Sequence, residues 1–238
     1  MRARILTKWL NATKDGAEYL STNKEGRVPP VTKVLMNPPF AQDKSYEPEF
    51  RFVEQALMQM SDRGTLFSVL PTSVMVKSGK ELAFRKRLLL GNTLLCVITF
   101  PDDLFYPQAG TSTVGIFVKK GIPHPKNQNV LWVKMWGDGF VKKKKKRLFD
   151  PNTRNDLPKI QTIVSDFLKN HGVKIRNVPK SIKISSIDYE NPEMELIPEA
   201  YLDDNEPTPK AIENGIEELI RENIAFNIKF ENKLKHVK

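Results

Sequence analysis

Cysteine is almost missing from this 238-residue chain, with Cys96 the single copy. One cysteine excludes an internal disulfide. Its place in the apolar run Leu94–Phe100 makes it a buried structural thiol rather than a reactive one, and a reducing, cytoplasmic setting follows. Histidine is nearly as scarce: His124, His171 and His236 lie far apart, so no metal-ligand spacing exists and no metal is expected. No segment approaches the roughly 20 apolar residues that span a bilayer. The start, Met1-Arg2-Ala3-Arg4-Ile5-Leu6, lacks the apolar stretch of a secretory signal. No membrane role is expected, and a hydrophobic share of 39% leaves room for a core plus a polar portion.

What the chain has in excess is positive charge. Its formal net charge is +10, and the run Lys142, Lys143, Lys144, Lys145, Lys146, Arg147 carries six of those charges, leaving +4 for the rest. Such a run is either a polyanion-binding element, which gains affinity by releasing phosphate counterions, or a solvated loop.

Periodicity divides the chain into four stretches. Residues 1–30 form a polar lead-in. Between 31 and 120 the pattern alternates strand and helix. Val31–Met36 reads as a strand ended by prolines. Tyr46–Ser61 reads as an amphipathic helix through Val53, Ala56, Leu57 and Met60, stopped by Asp62-Arg63-Gly64. Thr65–Leu70 is an apolar strand, and Ser78–Leu90 a helix closed by Gly91-Asn92. Leu94–Phe100 is a strand, the loop Pro101–Ser112 follows, and Thr113–Val118 is a last strand expected at the antiparallel edge of the sheet. The order implies an α/β fold with a mostly parallel sheet.

Residues 121–205 have a different texture. Pro123-His124-Pro125 is a rigid connector, Val130–Trp136 a strand and Gly137-Asp138-Gly139 a turn. Pro158–Asn170 suits a helix, and a strand is expected within Ile182–Ile187. Trp132 and Trp136 fall on one side of their strand, more in the manner of core than of a base-stacking platform. In 206–238, Thr208-Pro209 resembles a helix start. Ile212, Ile216, Leu219 and Ile220 continue as a stripe, running to Phe230 and suited to docking on a partner or on the chain itself.

The chemistry concentrates in Asn37-Pro38-Pro39-Phe40, at the end of the first strand. In open α/β sheets, ligands bind beyond the carboxyl ends of the strands. The exocyclic amine of adenine is a poor nucleophile because its lone pair is delocalised into the ring. The Asn37 side-chain oxygen and the Pro38 carbonyl are two acceptors for its hydrogens. Pro38 and Pro39 fix φ and remove competing N–H donors. Phe40 offers a face on which an extruded base can stack. The plain alternative is a proline-stiffened turn.

Residues 31–120 closely resemble the amino-methyltransferase core of type I restriction modification subunits and related adenine-specific enzymes. The likeness rests on Asn37-Pro38-Pro39-Phe40, Gly64–Pro71, Gly79-Lys80-Glu81 with Arg85–Leu89, and Val97–Pro101 leading into Leu104-Phe105. Trp136–Lys142 and the following lysines look like a continuation found in some of these proteins. The resemblance implies a partial Rossmann-like methyltransferase sheet, a small mixed basic extension and a C-terminal helix. It further implies S-adenosylmethionine as methyl donor and flipped adenine in DNA as acceptor, with the catalytic role on Asn37, Pro38, Pro39 and Phe40. Asn37 would also face the cofactor. A loop aromatic that packs on the flipped base would be Phe105, which is equally well placed as a plug closing the sheet. Gly110-Thr111-Ser112-Thr113 would touch a phosphate or merely turn, and Lys142–Arg147 would lie on the DNA backbone.

The family's cofactor loop, a glycine-rich turn upstream of the motif, has no counterpart here, since the 36 preceding residues contain no Gly-x-Gly. The sequence therefore reads as the catalytic-motif half of such an enzyme. It is expected to work with the missing N-terminal half or a second polypeptide, alongside specificity and restriction subunits. The rival reading is an inactive remnant that binds DNA or a companion subunit.

Overall fold

The computed structural model describes residues 31–40, 47–107, 109–170, 175 and 178–203, and further on 213, 216, 217, 220, 221 and 224. The lead-in 1–30 and the Thr208-Pro209 helix start lie outside the described residues. The chain divides into two compact units, Met1–Leu202 and Asp203–Lys238. In the second, Ile216, Ile220 and Ile224 sit one turn apart on a helix and are exposed; Ile212 and Leu219 of the expected stripe are not described.

The first unit is built on a six-stranded sheet. Its strands are β1 (Val31–Met36), β2 (Met60–Pro71), β3 (Asn92–Thr99), β4 (Thr113–Lys120), β5 (Val130–Lys134) and β8 (Ile182–Ser185), ordered β1-β2-β4-β3-β5-β8. Strand β1 runs parallel to β2 and β3 parallel to β5, while β4 is antiparallel to both β2 and β3. Four strands thus share one direction and end along one rim. The α/β class and an antiparallel edge strand are as expected. The sheet, expected mostly parallel, is mixed, with two parallel and three antiparallel pairings among the described residues. Its antiparallel edge is β8, which pairs with β5.

The expectation that Thr113–Val118 lies at the edge is corrected. A direct loop from β3 returns β4 beside it, and the largely apolar β4 then inserts between β3 and β2, where both its edges are paired and most of its side chains are buried. Nor does the sheet stop near residue 120, because β5 and β8 extend it through the stretch set apart on texture.

Helices cover both faces. Pro48 precedes α1 (Glu49–Gln59), which buries Phe50, Val53, Ala56 and Leu57, as the 3–4 spacing predicts. Together with α2 (Thr72–Val76) and α3 (Lys80–Gly91), it closes a cluster on Leu66, Leu70, Leu94, Val97, Ile116 and Trp132. On the other face, α4 (Leu157–Lys169) sets Ile160, Ile163, Val164 and Phe167 against Cys96, Ile98, Leu131 and Val133. Each such side chain contributes about 1.5–3 kcal/mol by leaving water. Burial pushes the Cys96 thiol far up, which makes it inert as expected.

Two boundaries differ from expectation. Asp62-Arg63-Gly64 does not stop α1; the helix ends at Gln59 and β2 begins at once. The register then jumps from Val31↔Met60 to Lys33↔Thr65, a bulge in which Arg63 takes φ 62°. Gly64 is required there, since a Cβ would stand 2.9 Å from the Ser61 carbonyl oxygen and 3.0 Å from that of Thr32. At the end of α3, closure comes from the Asn92 side chain, whose Nδ2 donates to the Leu88 carbonyl at 3.1 Å.

The lysine run is no loop. It forms a hairpin, β6 (Phe140–Lys143) and β7 (Lys146–Phe149), with Lys144 and Lys145 as its two turn residues. No helix among the described residues is long and apolar enough to cross a membrane.

Candidate functional site

Because β1, β2, β3 and β5 point the same way, the segments following them meet on one rim. After β1 come Asn37-Pro38-Pro39-Phe40; after β3, the loop 100–112; after β5, Trp136 and the β6–β7 hairpin. Pro38 is buried while Asn37 and Pro39 are exposed. Among the described residues nothing hydrogen-bonds the Asn37 side chain or the Pro38 carbonyl. Among the described residues, two acceptors thus stand without a partner at the end of this strand.

The structure brings Phe40 and Phe105 together. Their ring centroids are 5.2 Å apart at 82°, an edge-to-face pair joining the segments that follow β1 and β3. The 100–112 loop is held in place by its own polar contacts. Ser112 Oγ donates to Asp102 at 2.7 Å, the Leu104 N–H to the Pro101 carbonyl at 3.0 Å, and the Thr72 N–H to the Ser112 carbonyl at 2.9 Å. Gly110 to Thr113 thus makes the loop's return into β4, and the Ser112 hydroxyl is already engaged.

The hairpin joins the same loop from the other side. Arg147 is nearly buried and reaches Asp138 at 2.7 Å and Asp103 at 3.4 Å. Burial works against its charge, yet Asp138 and then Asp103 hold the guanidinium above its ordinary range. Its plane also covers Phe140, 5.4 Å away, and Lys142 Nζ stands 5.1 Å from the Tyr106 ring centre. The structure therefore separates Arg147 from the basic run: it is an anchor, whereas Lys143, Lys144, Lys145 and Lys146 are exposed. No pattern in the sequence singles it out, because its two acidic partners lie 9 and 44 residues away.

Two further features were not foreseen. Asp156 accepts the N–H groups of Trp136 at 3.0 Å and Gly137 at 3.2 Å, fixing the approach to the hairpin. The Thr99 hydroxyl at the end of β3 donates to Glu199 at 2.8 Å, and Lys134 pairs with the same carboxylate at 3.4 Å. The two tryptophans part company. Trp132 is buried and stacked on Tyr201 at 3.7 Å, while Trp136 lies beyond the strand end, exposed, with Lys134 Nζ 4.3 Å from its ring centre.

A cofactor loop needs backbone N–H groups free at a helix start. Gly137-Asp138-Gly139 follows β5 but leads into a hairpin, and Asp156 occupies the Gly137 N–H. The described residues set Asn37, the Pro38 carbonyl and two aromatic rings together on one rim. No cluster of His, Cys, Asp or Glu among them is suited to a metal.

A stretch of 119 residues is 37% identical to the type II restriction enzyme and methyltransferase RM.BcgI of Heyndrickxia coagulans, covering 48% of this chain and 18% of that protein. Among solved structures, a chain of a type I R-M system complex superposes with a TM-score of 0.55 at 16% identity, over 92% of this chain and 48% of that one. The type I methyltransferase subunit from Streptococcus thermophilus gives 0.51 at 20% identity, over 71% and 37%. These likenesses show the fold, and the chain spans half or less of each relative. Residues 10–208 match the N-6 DNA Methylase family, and the chain belongs to it.

Proposed function

We propose that this chain supplies the base-binding half of an adenine-N6 DNA methyltransferase in a restriction-modification system. The observation that carries the reading is the Phe40–Phe105 pair on one rim with Asn37, whose side chain has no partner among the described residues. An adenine turned out of the duplex stacks on Phe40 with Phe105 closing against it. Its amine donates one hydrogen to Asn37 Oδ1 and the other to the Pro38 carbonyl, which draws the nitrogen toward tetrahedral geometry. The two prolines hold that carbonyl in place without rearrangement during the reaction. S-adenosylmethionine, when bound, supplies an electrophilic methyl group on sulfur, and Asn37 faces it from the acceptor side.

A complementary half holds the donor in this reading. Leu35 on β1, an end strand of the sheet among the described residues, is 63% exposed and apolar, as a strand that takes a further neighbour would be. In this reading the chain works alongside specificity and restriction subunits, a proposal supported by its likeness to a chain of a type I R-M system complex, and Lys142–Lys146 lie on the DNA backbone.

The test is complementation. The chain is coexpressed with the glycine-rich N-terminal half of a restriction-modification methyltransferase, and tritiated methyl transfer is followed to DNA, RNA and protein in parallel. Transfer to adenine in DNA, lost at least 100-fold with Asn37→Ala, is the expected outcome. Label on RNA or protein alone, or full activity in the variant, refutes the reading; failure of every complementing half favours an inactive remnant.

A further inference from the structure

The tip of the β6–β7 hairpin is built against its own local preferences. Lys144 and Lys145 adopt φ 45° and 61°, and two-residue turns with both φ positive favour Asn-Gly. Lys143 and Lys146 flank them as a directly opposed pair. Like charges opposite one another weaken a ribbon. Neither conformational preference nor electrostatics explains four adjacent lysines at this turn, whereas a polyanion reverses the sign of the electrostatic effect.

Pairing sorts the hairpin into two faces. Phe140, Lys142, Arg147 and Phe149 share one, and Val141, Lys143, Lys146 and Leu148 the other. The first face is turned to the loop that carries Phe105, through Arg147 to Asp103 and Lys142 to Tyr106. The second is open. Lys143 makes an exposed ion pair with Asp150 at 3.5 Å, while Lys144, Lys145 and Lys146 have no acidic partner among the described residues.

We propose that the β6–β7 hairpin is a duplex-DNA ribbon fixed onto the base-stacking loop, its tip lysines lying on the phosphates of the groove beside the extruded adenine. A two-stranded ribbon fits the major groove. The Arg147 bridge to Asp103, two residues from Phe105, sets the distance between ribbon and base. Its position on the rim that holds Asn37 favours DNA over an acidic lipid surface. The choice of DNA rests on the methyltransferase reading above; the ribbon's affinity for a polyanion does not.

The double variant Lys144→Asn, Lys145→Gly tests this, because it removes two charges while giving the turn its preferred residues. Binding of the full chain to a fluorescein-labelled 30-base-pair duplex is followed by anisotropy as salt is varied. Loss of two phosphate contacts flattens the slope of log K against log salt by about 1.8 and weakens binding about tenfold or more at 0.1 M salt. Thermal unfolding equal to or above that of the parent shows that the hairpin is intact. Lys80→Gln with Lys86→Gln, on the exposed side of α3, matches the change in net charge and leaves the slope unaltered.

An unchanged slope in the tip variant overturns the proposal. So does an equal loss in the α3 control, no duplex binding by the parent, or a loss seen only on phosphatidylserine vesicles. Binding and methyl transfer are read separately. A chain that grips DNA through the ribbon but transfers no methyl group sinks the enzyme reading and leaves this one standing.

Discussion

Phe40 and Phe105 meet edge to face at 5.2 Å although 65 residues separate them in sequence. The contact exists because β1 and β3 run the same way and deliver their following loops to one rim. It joins the Asn-Pro-Pro-Phe motif to a loop that the hairpin also grips, so the motif and the basic hairpin share a single support at Asp103–Phe105.

Truncating Phe105 tests that support where it matters most. Base–aromatic stacking is worth about 1–3 kcal/mol by alanine substitution, so Phe105→Ala in the complemented enzyme lowers kcat/KM for adenine roughly 5- to 150-fold. Its ring is half-buried rather than core, so the thermal midpoint moves little. A large fall in stability with unchanged kcat/KM would mean that Phe105 is the plug closing the sheet and nothing more.

Much of this was legible in the sequence. The helix through Val53, Ala56 and Leu57 and the Pro158–Asn170 helix follow from the sequence because each buries one continuous face, and the strand before Asn37 from the prolines that end it. The aromatic at 105 was legible from a family likeness, though its contact with Phe40 was not. Strand order was hidden: the apolar run Thr113–Val118 announces a buried strand, but a direct β3–β4 loop serves an edge or an interior strand equally well. The hairpin was hidden for another reason. Its turn lacks the Asn-Gly signal, and six like charges in a row suggest solvent rather than pairing. Arg85 and Arg147 were invisible, since a buried arginine is defined by partners distant in sequence.

His124 makes stability depend on pH. It is buried between two prolines and neither ring nitrogen finds a hydrogen-bond partner; only its backbone N–H is engaged, with the Leu89 carbonyl at 2.9 Å. Burial pushes its pKa down to about 4, and the Gln128 backbone works the other way without reaching either nitrogen in hydrogen-bonding geometry. The unfolded chain then binds a proton near pH 6.5 that the folded chain refuses until about 4. Folding is therefore unpenalised above pH 6.5 and loses stability as pH falls toward 4. Urea unfolding at pH 7.5 and pH 5 should differ by about 1–2 kcal/mol more in the parent than in His124→Gln; equal differences would exclude this histidine as the cause.

Arg85 carries the largest expected cost of any single change. Its side chain is wholly buried, and no carboxylate makes a salt bridge or hydrogen bond to it among the described residues; instead it donates to five backbone carbonyls. Those of Val74, Val76 and Lys77 lie at the end of α2, and those of Glu193 and Met194 lie over 100 residues further on. Desolvation lowers its pKa, opposed by the more distant charges of Glu193, Glu81 and Glu195, and the carbonyls replace the lost water. Arg85→Met removes the charge but leaves those carbonyls without a donor, at about 1–3 kcal/mol for each that water cannot reach. Arg85→Lys keeps a charge but has three donors on one atom, too few and too close together for both segments. We expect losses of about 3–5 kcal/mol and at least 2 kcal/mol respectively, read from urea unfolding. Amide exchange should be fastest at 193–196, where the Leu196 N–H bonds to the Met75 carbonyl at 2.9 Å. A Met variant as stable as the parent would show that the two segments hold together without the arginine.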